Sequence, residues 1–315
     1  MTPDLVSVII ANWNSAAFIE RCLESVLRQT HPHIEYVIVD NASSDDSPAR
    51  IRAMIPDAAF IQNSDNAGFA RAQNQGMAEA QGAFVMPLNF DTLFAPDYVA
   101  GLVDALQRRP EAGSVCGKLY KMTREFETTD ILDSAGHVMK NRDPGRRGRG
   151  ERDTGQFDRE ERVFGAPGTA PLLRKSALDL ARVFEEVFDE SFYMYLEDVD
   201  LDWRLNLYGY EAVYTPNAIG YHAESGTISD GNRWIQRLAT VNYRLMLLKN
   251  DRLSVALAKM PTMARRALFP FQLRAGRPVT DVYRYWRLLP LTLRKRAEIS
   301  KNIRVSPEEI EKMFF

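Results

Sequence analysis

The first 118 residues alternate between short apolar segments and stretches with helical periodicity. Residues 5–11 and Ile34–Asp40 are nearly continuous runs of β-branched and aliphatic side chains, as in strands buried on both faces. Between them, residues 16–29 repeat apolar side chains at the spacing of one helix face. Strands separated by helices of about 10–15 residues indicate crossover connections. We therefore predict an α/β fold with a mostly parallel sheet and helices on both faces.

Beyond residue 118 this alternation stops. Residues 141–162 are highly charged, rich in glycine and without apolar periodicity. This composition predicts a mobile loop, which either closes over a ligand or is a surface excursion. Residues 233–315 have the pattern of helices broken at four prolines, Pro261, Pro270, Pro278 and Pro290. We predict one domain over residues 1–232, divided near residue 118, and a helical C-terminal region over 233–315.

Charge and cysteine content exclude several classes of protein. The 315 residues include 40 Lys/Arg and 42 Asp/Glu, so the chain lacks the basic composition of a nucleic-acid-binding protein. Cys22 and Cys116 have no CxxC spacing, so neither a zinc site nor a disulfide framework is indicated. We see no secretion signal and no apolar run of about 18 residues, and we expect a cytoplasmic protein.

The positive charge is concentrated near the C-terminus. Residues 251–315 contain 14 Lys/Arg and 6 Asp/Glu, interleaved with aromatic and aliphatic side chains. This pattern suits a helix that lies on the anionic inner face of the cytoplasmic membrane. It equally suits a basic helix that packs on its own catalytic domain, or on a second copy of the chain in a homodimer.

Polar residues follow the predicted strands at their carboxyl ends, where α/β sheets bind ligands. Asn12 follows the first strand, Asp40 ends the second, and Asn89 and Asp91 follow the fourth. Each of them could instead form a turn or cap a helix. Asn89 and Asp91 lie on the same side of an extended segment and offer the oxygen ligands that a divalent cation prefers. Asp97 is better placed to cap the next helix, which leaves Asp91 for chemistry.

A second acidic cluster lies at residues 197–202, where four carboxylates occur within six residues. They repel one another unless a helix N-terminus, a cation or a role as base compensates. A helix that begins near Asp198 would keep its carboxylate ionised, as a general base requires. The alternative is a solvated first turn, although aromatic neighbours indicate partial burial. His222 could complete a metal set with Asp91, or be structural.

The start of the third predicted helix carries Asn66, Gly68 and Phe69. Gly68 permits a close backbone approach, and the amides at a helix start can meet an anion or a nucleobase edge. The same residues could also be simple capping.

These motifs occur in an order that matches a known family. The matching segments are 7–14, 22–30, 37–43, 66–70, 88–92, 165–168, 195–201 and 221–222. Together they cover about residues 5–250, and the chain resembles the family 2 glycosyltransferases with the GT-A fold, in particular the bacterial rhamnosyltransferase-like branch. The resemblance implies an inverting transfer from a nucleotide-diphosphate sugar, of which dTDP-rhamnose is the expected example. The acceptor would be a saccharide or a polyprenyl-diphosphate-linked saccharide in the synthesis of bacterial surface polysaccharide, such as O-antigen or cell-wall glycan.

The resemblance also implies roles for single residues. Residues 1–118 would be the nucleotide-sugar-binding half and 119–232 the acceptor-binding half. Asp198, with Glu197 beside it, would deprotonate the acceptor. Asp91 would hold Mg²⁺ or Mn²⁺ against the diphosphate, and His222 would reach the metal or the diphosphate. The donor nucleotide would lie against Ala11, Asn12, Trp13, Asp40, Asn66, Gly68, Phe69 and Asn89.

The chain departs from the family pattern at Asn89, where relatives carry an acid. An amide is a weaker metal ligand than a carboxylate, so this departure favours an alternative, a GT-A module that binds a nucleotide sugar without turnover. A nucleotidyltransferase or a dinucleotide-binding protein would need a Gly-rich phosphate loop after the first strand. Residues 12–15 are Asn-Trp-Asn-Ser instead, which argues against both classes.

Overall fold

The computed structural model describes residues 4–223, 233–259 and 280–314. Its N-terminal part is the predicted parallel sheet, in the order β3-β2-β1-β4. The strands are β1 (Val6–Asn12), β2 (Ile34–Asp40), β3 (Ala59–Gln62) and β4 (Phe84–Leu88), and the connecting helices are α1 (Ile19–Leu27), α2 (Ser47–Met54) and α3 (Phe69–Glu79). Apolar side chains of β1 and β4 are fully buried against these helices, which explains the continuous apolar runs in the sequence.

The following residues extend this sheet. They form β5 (Thr92–Phe94), α4 (Tyr98–Arg108), β6 (Ala112–Met122), β7 (Thr128–Ser134), β8 (His137–Lys140), β9 (Asp143–Arg146), β10 (Glu161–Val163), β11 (Leu172–Arg174), α5 (Lys175–Ala181), α6 (Glu197–Leu207) and β12 (Glu211–His222). The sheet order is β10-β12-β6-β11-β4-β1-β2-β3. β6 and β12 pair in parallel, whereas β11 is antiparallel to both of its neighbours, β4 and β6. The sheet is therefore mostly parallel, with one reversed strand at its centre.

Residues 141–162, predicted to be a loop, include two short strands, and residues 147–160 between them form turns and bends. β9 forms a hairpin with β8, and the last two residues of the segment belong to β10, which pairs with β12. The nearly buried ammonium group of Lys118 donates to Asp153 at 2.9 Å and to Asp158 at 2.5 Å. Part of the segment is therefore held on the sheet through the buried Lys118, although Asp158 itself remains 64% exposed.

The C-terminal helices are α7 (Arg233–Asn250), α8 (Leu253–Lys259), α9 (Thr280–Ser300) and α10 (Pro307–Glu311). Apolar residues of α7, α9 and α10, among them Leu245, Tyr285 and Ile310, share one core with Val199 and Trp203 of α6. Buried ion pairs join the same elements. The C-terminal helices therefore pack on their own domain, as one interpretation of the basic region predicted.

Helix α9 continues through Pro290, so the predicted break there is wrong. The proline removes one backbone hydrogen bond, but Tyr285 and Lys295 are buried on either side of it and keep both halves in place. The breaks predicted at Pro261, Pro270 and Pro278 lie outside the described residues. Among the helices that are described, none combines the length and the apolarity needed to cross a bilayer.

Candidate active site

The carboxyl ends of β1 and β2 meet in a network of hydrogen bonds. Asp40 has no exposed surface, and its carboxylate accepts from Asn12 Nδ2 at 2.6 Å and from Ser43 Oγ at 2.6 Å. Asn12 also donates to Ser47 Oγ at 3.0 Å. Asn12 and Asp40 therefore lie together as predicted, but here they order residues 41–47. A direct contact of Asp40 with a nucleotide would require this loop to open.

The start of α3 closes on the same edge of the sheet. Asn41 donates to the Gly68 carbonyl at 3.3 Å, and Asn66 accepts from the Gly68 N–H at 3.0 Å. Gly68 has a φ of 87°, and a Cβ there would lie 2.5 Å from the Tyr193 ring. The absence of a side chain at Gly68 therefore allows the backbone to pack closely against Tyr193. Ala11, Trp13, Asn66 and Phe69 are each partly exposed at this edge.

Asp91 and His222 are brought together, as the sequence predicted. β5 pairs with β12, and Nε2 of His222 lies 3.3 Å from Oδ1 of Asp91. On the other side of the ring, Nδ1 lies 3.0 Å from Oδ2 of Asp133. Burial alone would lower the pKa of His222, but the carboxylates of Asp91 and Asp133 raise it to about 9.

This donor set fits a divalent cation that is shared with a phosphate ligand. A histidine held by a carboxylate on one nitrogen commonly binds metal with the other, and here Asp133 occupies that supporting position. Over the described ranges no three His, Cys, Asp or Glu side chains converge in ligating geometry. Mg²⁺ is usually bound by one or two protein groups plus substrate phosphates and water, so Asp91 and His222 suffice as the protein's share.

Asp198 faces the same region from α6. Its Oδ2 accepts from the Gly168 N–H at 2.9 Å, and its side chain is 21% exposed. In the same turn, the carbonyl of Thr169 accepts from the Asn89 N–H at 2.9 Å. The turn at residues 165–170 thus contacts both the acidic segment at Asn89–Asp91 and the start of α6. One short turn therefore links Asp198 to the segment that carries Asp91.

Glu197, the other predicted catalytic carboxylate, points elsewhere. Its residue is 6% exposed, and its Oε2 has no hydrogen-bond partner. Burial, and secondly the charge of Asp198, raise the pKa of Glu197 well above its usual value. The charged form of Glu197 is therefore disfavoured by its surroundings, and of the two carboxylates Asp198 is the more exposed.

The structure adds two residues that sequence reasoning missed, Asp133 and His137. Both lie in or beside the turn that joins β7 to β8. Asp133 supports His222, and the Nδ1 of His137 lies 2.7 Å from Oδ2 of Asp202 on α6. In the sequence, residues 133–137 carry only the signal of a turn, with Gly136 at its centre. A local signal existed in the two titratable side chains that flank this turn, but nothing in their spacing indicates a partner.

Comparison with known proteins shows the family of the chain. The family model described as Glycosyl transferase family 2 matches residues 7–180, more than half of the chain. The N-acetylglucosaminyl-diphospho-decaprenol L-rhamnosyltransferase of Mycobacterium tuberculosis is 28% identical over 245 residues, 70% of this chain and 76% of that protein. The poly-beta-1,6-N-acetyl-D-glucosamine synthase of Staphylococcus epidermidis is 27% identical over 241 residues, 74% of this chain. The chain spans about half, 53%, of the length of that synthase.

Solved structures show the same fold. GalNAc-T7, crystallised with UDP, GalNAc and Mn²⁺, superposes with a TM-score of 0.62 at 14% identity, over 79% of this chain and 48% of that one. The mannosyltransferase PcManGT of Pyrobaculum calidifontis, in complex with GDP-Man and Mn²⁺, superposes with a TM-score of 0.56 at 19% identity. This superposition covers 96% of this chain and 89% of that one. The sheet with one reversed central strand is the GT-A fold, as the sequence predicted. Together with the family match, this establishes that the chain belongs to glycosyl transferase family 2.

Proposed function

We propose that the protein is an inverting glycosyltransferase that moves a sugar from a nucleotide-diphosphate sugar to an acceptor hydroxyl. The observation that carries the proposal is the turn at 165–170, which is hydrogen-bonded to Asp198 through Gly168 and to Asn89 through Thr169. The proposed base and the proposed leaving-group site are therefore linked by one short turn, which supports a single displacement between them. Direct attack from the face opposite the leaving group inverts the anomeric carbon and needs no covalent intermediate.

The chemistry assigned to this chain is simple. Asp198 takes the proton of the acceptor hydroxyl as the acceptor oxygen forms its bond to the anomeric carbon. The bond from that carbon to the diphosphate oxygen breaks, and its electron pair leaves with the nucleoside diphosphate. Asp91 and His222 would hold Mg²⁺ or Mn²⁺, which, when bound, neutralises charge on the leaving diphosphate. Asp133 orients the His222 ring for this task.

The substrates follow from the relatives. The mycobacterial relative is named for a polyprenyl-diphosphate-linked sugar and for rhamnose. We extend this to a nucleotide-diphosphate sugar donor, dTDP-rhamnose first, and to a saccharide or polyprenyl-diphosphate-linked saccharide acceptor. The product would enter a bacterial surface polysaccharide, and the protein would act in the cytoplasm on the inner face of the membrane.

The test measures release of nucleoside diphosphate from dTDP-, UDP- and GDP-sugars with Mn²⁺ and a polyprenyl-diphosphate saccharide. In Asp198→Asn the amide oxygen can still accept from Gly168, so folding and donor binding should be unchanged. We expect kcat to fall about 10²–10⁴-fold, the usual contribution of a positioned base. Asp97→Asn is the matched control, because Asp97 is exposed and its side chain makes no capping bond. NMR of the product then reports the anomeric configuration.

Two results would overturn this proposal. If every donor and acceptor pair fails to turn over while nucleotide still binds, the protein is the inactive nucleotide-sugar-binding module that Asn89 favours. If Asp198→Asn is as active as the wild type, another group is the base.

A membrane-bound acceptor also calls for a surface that meets lipid, and the exposed face of α9 has suitable chemistry. Tyr283, Trp286 and Leu293 are 66%, 49% and 45% exposed, and the side chains of Arg287 and Arg294 are exposed between them. These positions recur every three or four residues, so they share one face of the helix. Aromatic and aliphatic groups among arginines suit the interface of an anionic bilayer. We include this contact in the proposed function.

Flotation with liposomes tests the membrane contact. Wild-type protein should float with vesicles that contain phosphatidylglycerol and remain unbound with phosphatidylcholine alone. Leu293→Ser combined with Arg287→Glu should abolish flotation. Leu27→Ser is the control, because Leu27 is equally exposed, at 45%, but lies on α1. If the double variant floats like the wild type, the face does not bind lipid. If the mass of the wild type rises with concentration and the double variant abolishes that rise, the face belongs to a homodimer.

A further inference from the structure

A buried histidine lies directly behind the proposed base. His137 is 4% exposed, and its Nδ1 lies 2.7 Å from Oδ2 of Asp202, which is 2% exposed. Its Nε2 lies 3.7 Å from Oδ2 of Asp198, the oxygen that accepts from Gly168. The imidazole therefore lies between two carboxylates that are one helical turn apart on α6. The mechanism described above gives it no role.

The backbone fixes this arrangement on every side. The His137 N–H donates to the Gly165 carbonyl at 2.8 Å, and its own carbonyl accepts from the Phe164 N–H at 3.1 Å. The second carboxylate oxygen of Asp202 accepts from the Ala166 N–H at 3.1 Å. A Cβ on Gly165 would lie 1.9 Å from Asp202 Oδ2, so this packing requires glycine there. His137 is thus tied to the same turn that holds Asp198.

The charges around His137 favour its protonated form. Asp198 and Asp202 face His137 from α6 and raise its pKa, whereas Arg146 faces it from β9 and lowers its pKa. Burial alone would lower the pKa of His137, but the two carboxylates outweigh burial and the pKa is raised. Burial raises the pKa of Asp202 to about 6, and the hydrogen bond from His137 limits that rise. The surroundings of the pair therefore favour the protonated form of His137, and His137 in turn favours the ionised form of Asp202.

Other titratable groups near this pair do not supply a competing charge. Burial, and secondly the charge of Asp198, raise the pKa of Glu197, so its charged form is disfavoured. Burial raises the pKa of the Cys116 thiol, which faces Asp202 from β6, so that thiol remains neutral. The positive charge next to Asp198 on this side is thus that of His137.

We propose that His137, held by Asp202, is a positioning residue that keeps Asp198 ionised and directed toward the acceptor hydroxyl. The proposal rests on the assignment of Asp198 as base. His137 is only 4% exposed, so it acts through Asp198 and does not itself touch substrate. Its contribution is to hold one oxygen of the base, together with Gly168, and to stabilise the negative charge that the base must carry before the reaction.

The decisive experiment is a pH profile of kcat/KM for His137→Asn. The asparagine amide can reproduce the donor at Nδ1 and keep the bond to Asp202, while it removes the charge and the nitrogen that face Asp198. An opposite charge at about 4–6 Å displaces a carboxyl titration by about 1–3 pH units, and partial exposure of Asp198 places the effect at the lower end. We expect the acid limb to move up by about one pH unit. Activity below the limb should fall about tenfold, recovering toward the wild-type value at high pH.

Recovery at high pH separates positioning from structural damage, which would lower activity at every pH. His31→Asn is the matched control, because His31 is also buried but bonds to the Asp4 carbonyl, away from the site. Asp202→Asn keeps an acceptor for Nδ1 and removes the charge that favours the imidazolium, so the same shift should occur in smaller degree. It also serves as the test if His137→Asn does not fold.

The outcomes are distinguishable. An acid limb that is unchanged in His137→Asn and Asp202→Asn overturns the role of His137 and leaves the proposed function intact. A loss that is equal at all pH values also overturns it. Full activity of Asp198→Asn, in contrast, overturns the proposed function itself.

Discussion

The buried ammonium group of Lys249 should be the most sensitive point of contact between the C-terminal helices and the rest of the protein. Lys249 lies on α7, and its side chain is 2% exposed. Its Nζ lies 2.9 Å from Oδ2 of Asp200 and donates to Asp189. Asp189 and Asp200 have side chains that are 4% and 0% exposed. The perturbation that we propose is Lys249→Met, which keeps the length of the side chain and removes its charge.

The structure sets the expected magnitude. Removing one partner of a buried ion pair usually costs about 3–5 kcal/mol, because the remaining charge is left uncompensated. Each carboxylate keeps a second cation, since Lys295 donates to Asp189 at 2.7 Å and Arg204 to Asp200 at 3.1 Å. We therefore expect a loss of about 3 kcal/mol in the free energy of unfolding, at the lower end of this range. Lys301→Met is the control, since Lys301 is 66% exposed and should cost less than about 0.5 kcal/mol.

Urea unfolding followed by tryptophan fluorescence and circular dichroism measures both variants. Coincident transitions of the two probes would show that α7–α10 unfold together with the sheet, as a shared core requires. Equal stabilities of Lys249→Met and Lys301→Met would refute the reasoning. A separate early transition in the wild type would also refute it, because the C-terminal helices would then be an independent unit.

Three further predictions follow from single residues. Gly68→Ala should lose about 1–3 kcal/mol of stability in thermal unfolding, because the new Cβ meets Tyr193 at a positive φ; an unchanged midpoint would contradict the packing. Asp91→Asn should raise the Mn²⁺ concentration for half-maximal activity at least tenfold, and an unchanged metal dependence would exclude Asp91 as a ligand. Lys249 and Lys295 hold the pKa of Asp189 below its usual range, although burial opposes this shift. Urea titrations should therefore show that the protein loses stability as the pH falls below about 4. This loss should be smaller in Lys249→Met.

The sequence was sufficient for the parts of the fold that follow from local pattern. The four parallel strands and their helices are explained by apolar periodicity, and β2 has the bounds that the pattern predicted. Asp91 and His222 are far apart in the sequence, yet their meeting was anticipated from the residue types that a metal needs. The start of α6 at Glu197 likewise followed from the concentration of acids at a helix N-terminus.

What could not be predicted depends on pairing between distant segments. Residues 141–162 look solvated in sequence, and nothing local says that Lys118 is buried opposite Asp153. The same holds for His137, whose function here depends on α6, 61 or more residues away. Pro290 shows the converse, because a strong local signal for a break was outweighed by burial of the side chains around it.

The turn between β7 and β8 lies between Asp133 and His137, the two residues that support the proposed leaving-group site and the proposed base. Asp133 supports the residue proposed to meet the departing diphosphate, and His137, four positions later, supports the residue proposed to meet the incoming hydroxyl. Gly136, at a φ of 105°, allows the chain to reverse in between. The length of this segment therefore fixes the separation between the two supports. Insertion or deletion of a single residue here would misalign nucleophile and leaving group even if every side chain in the cleft were retained.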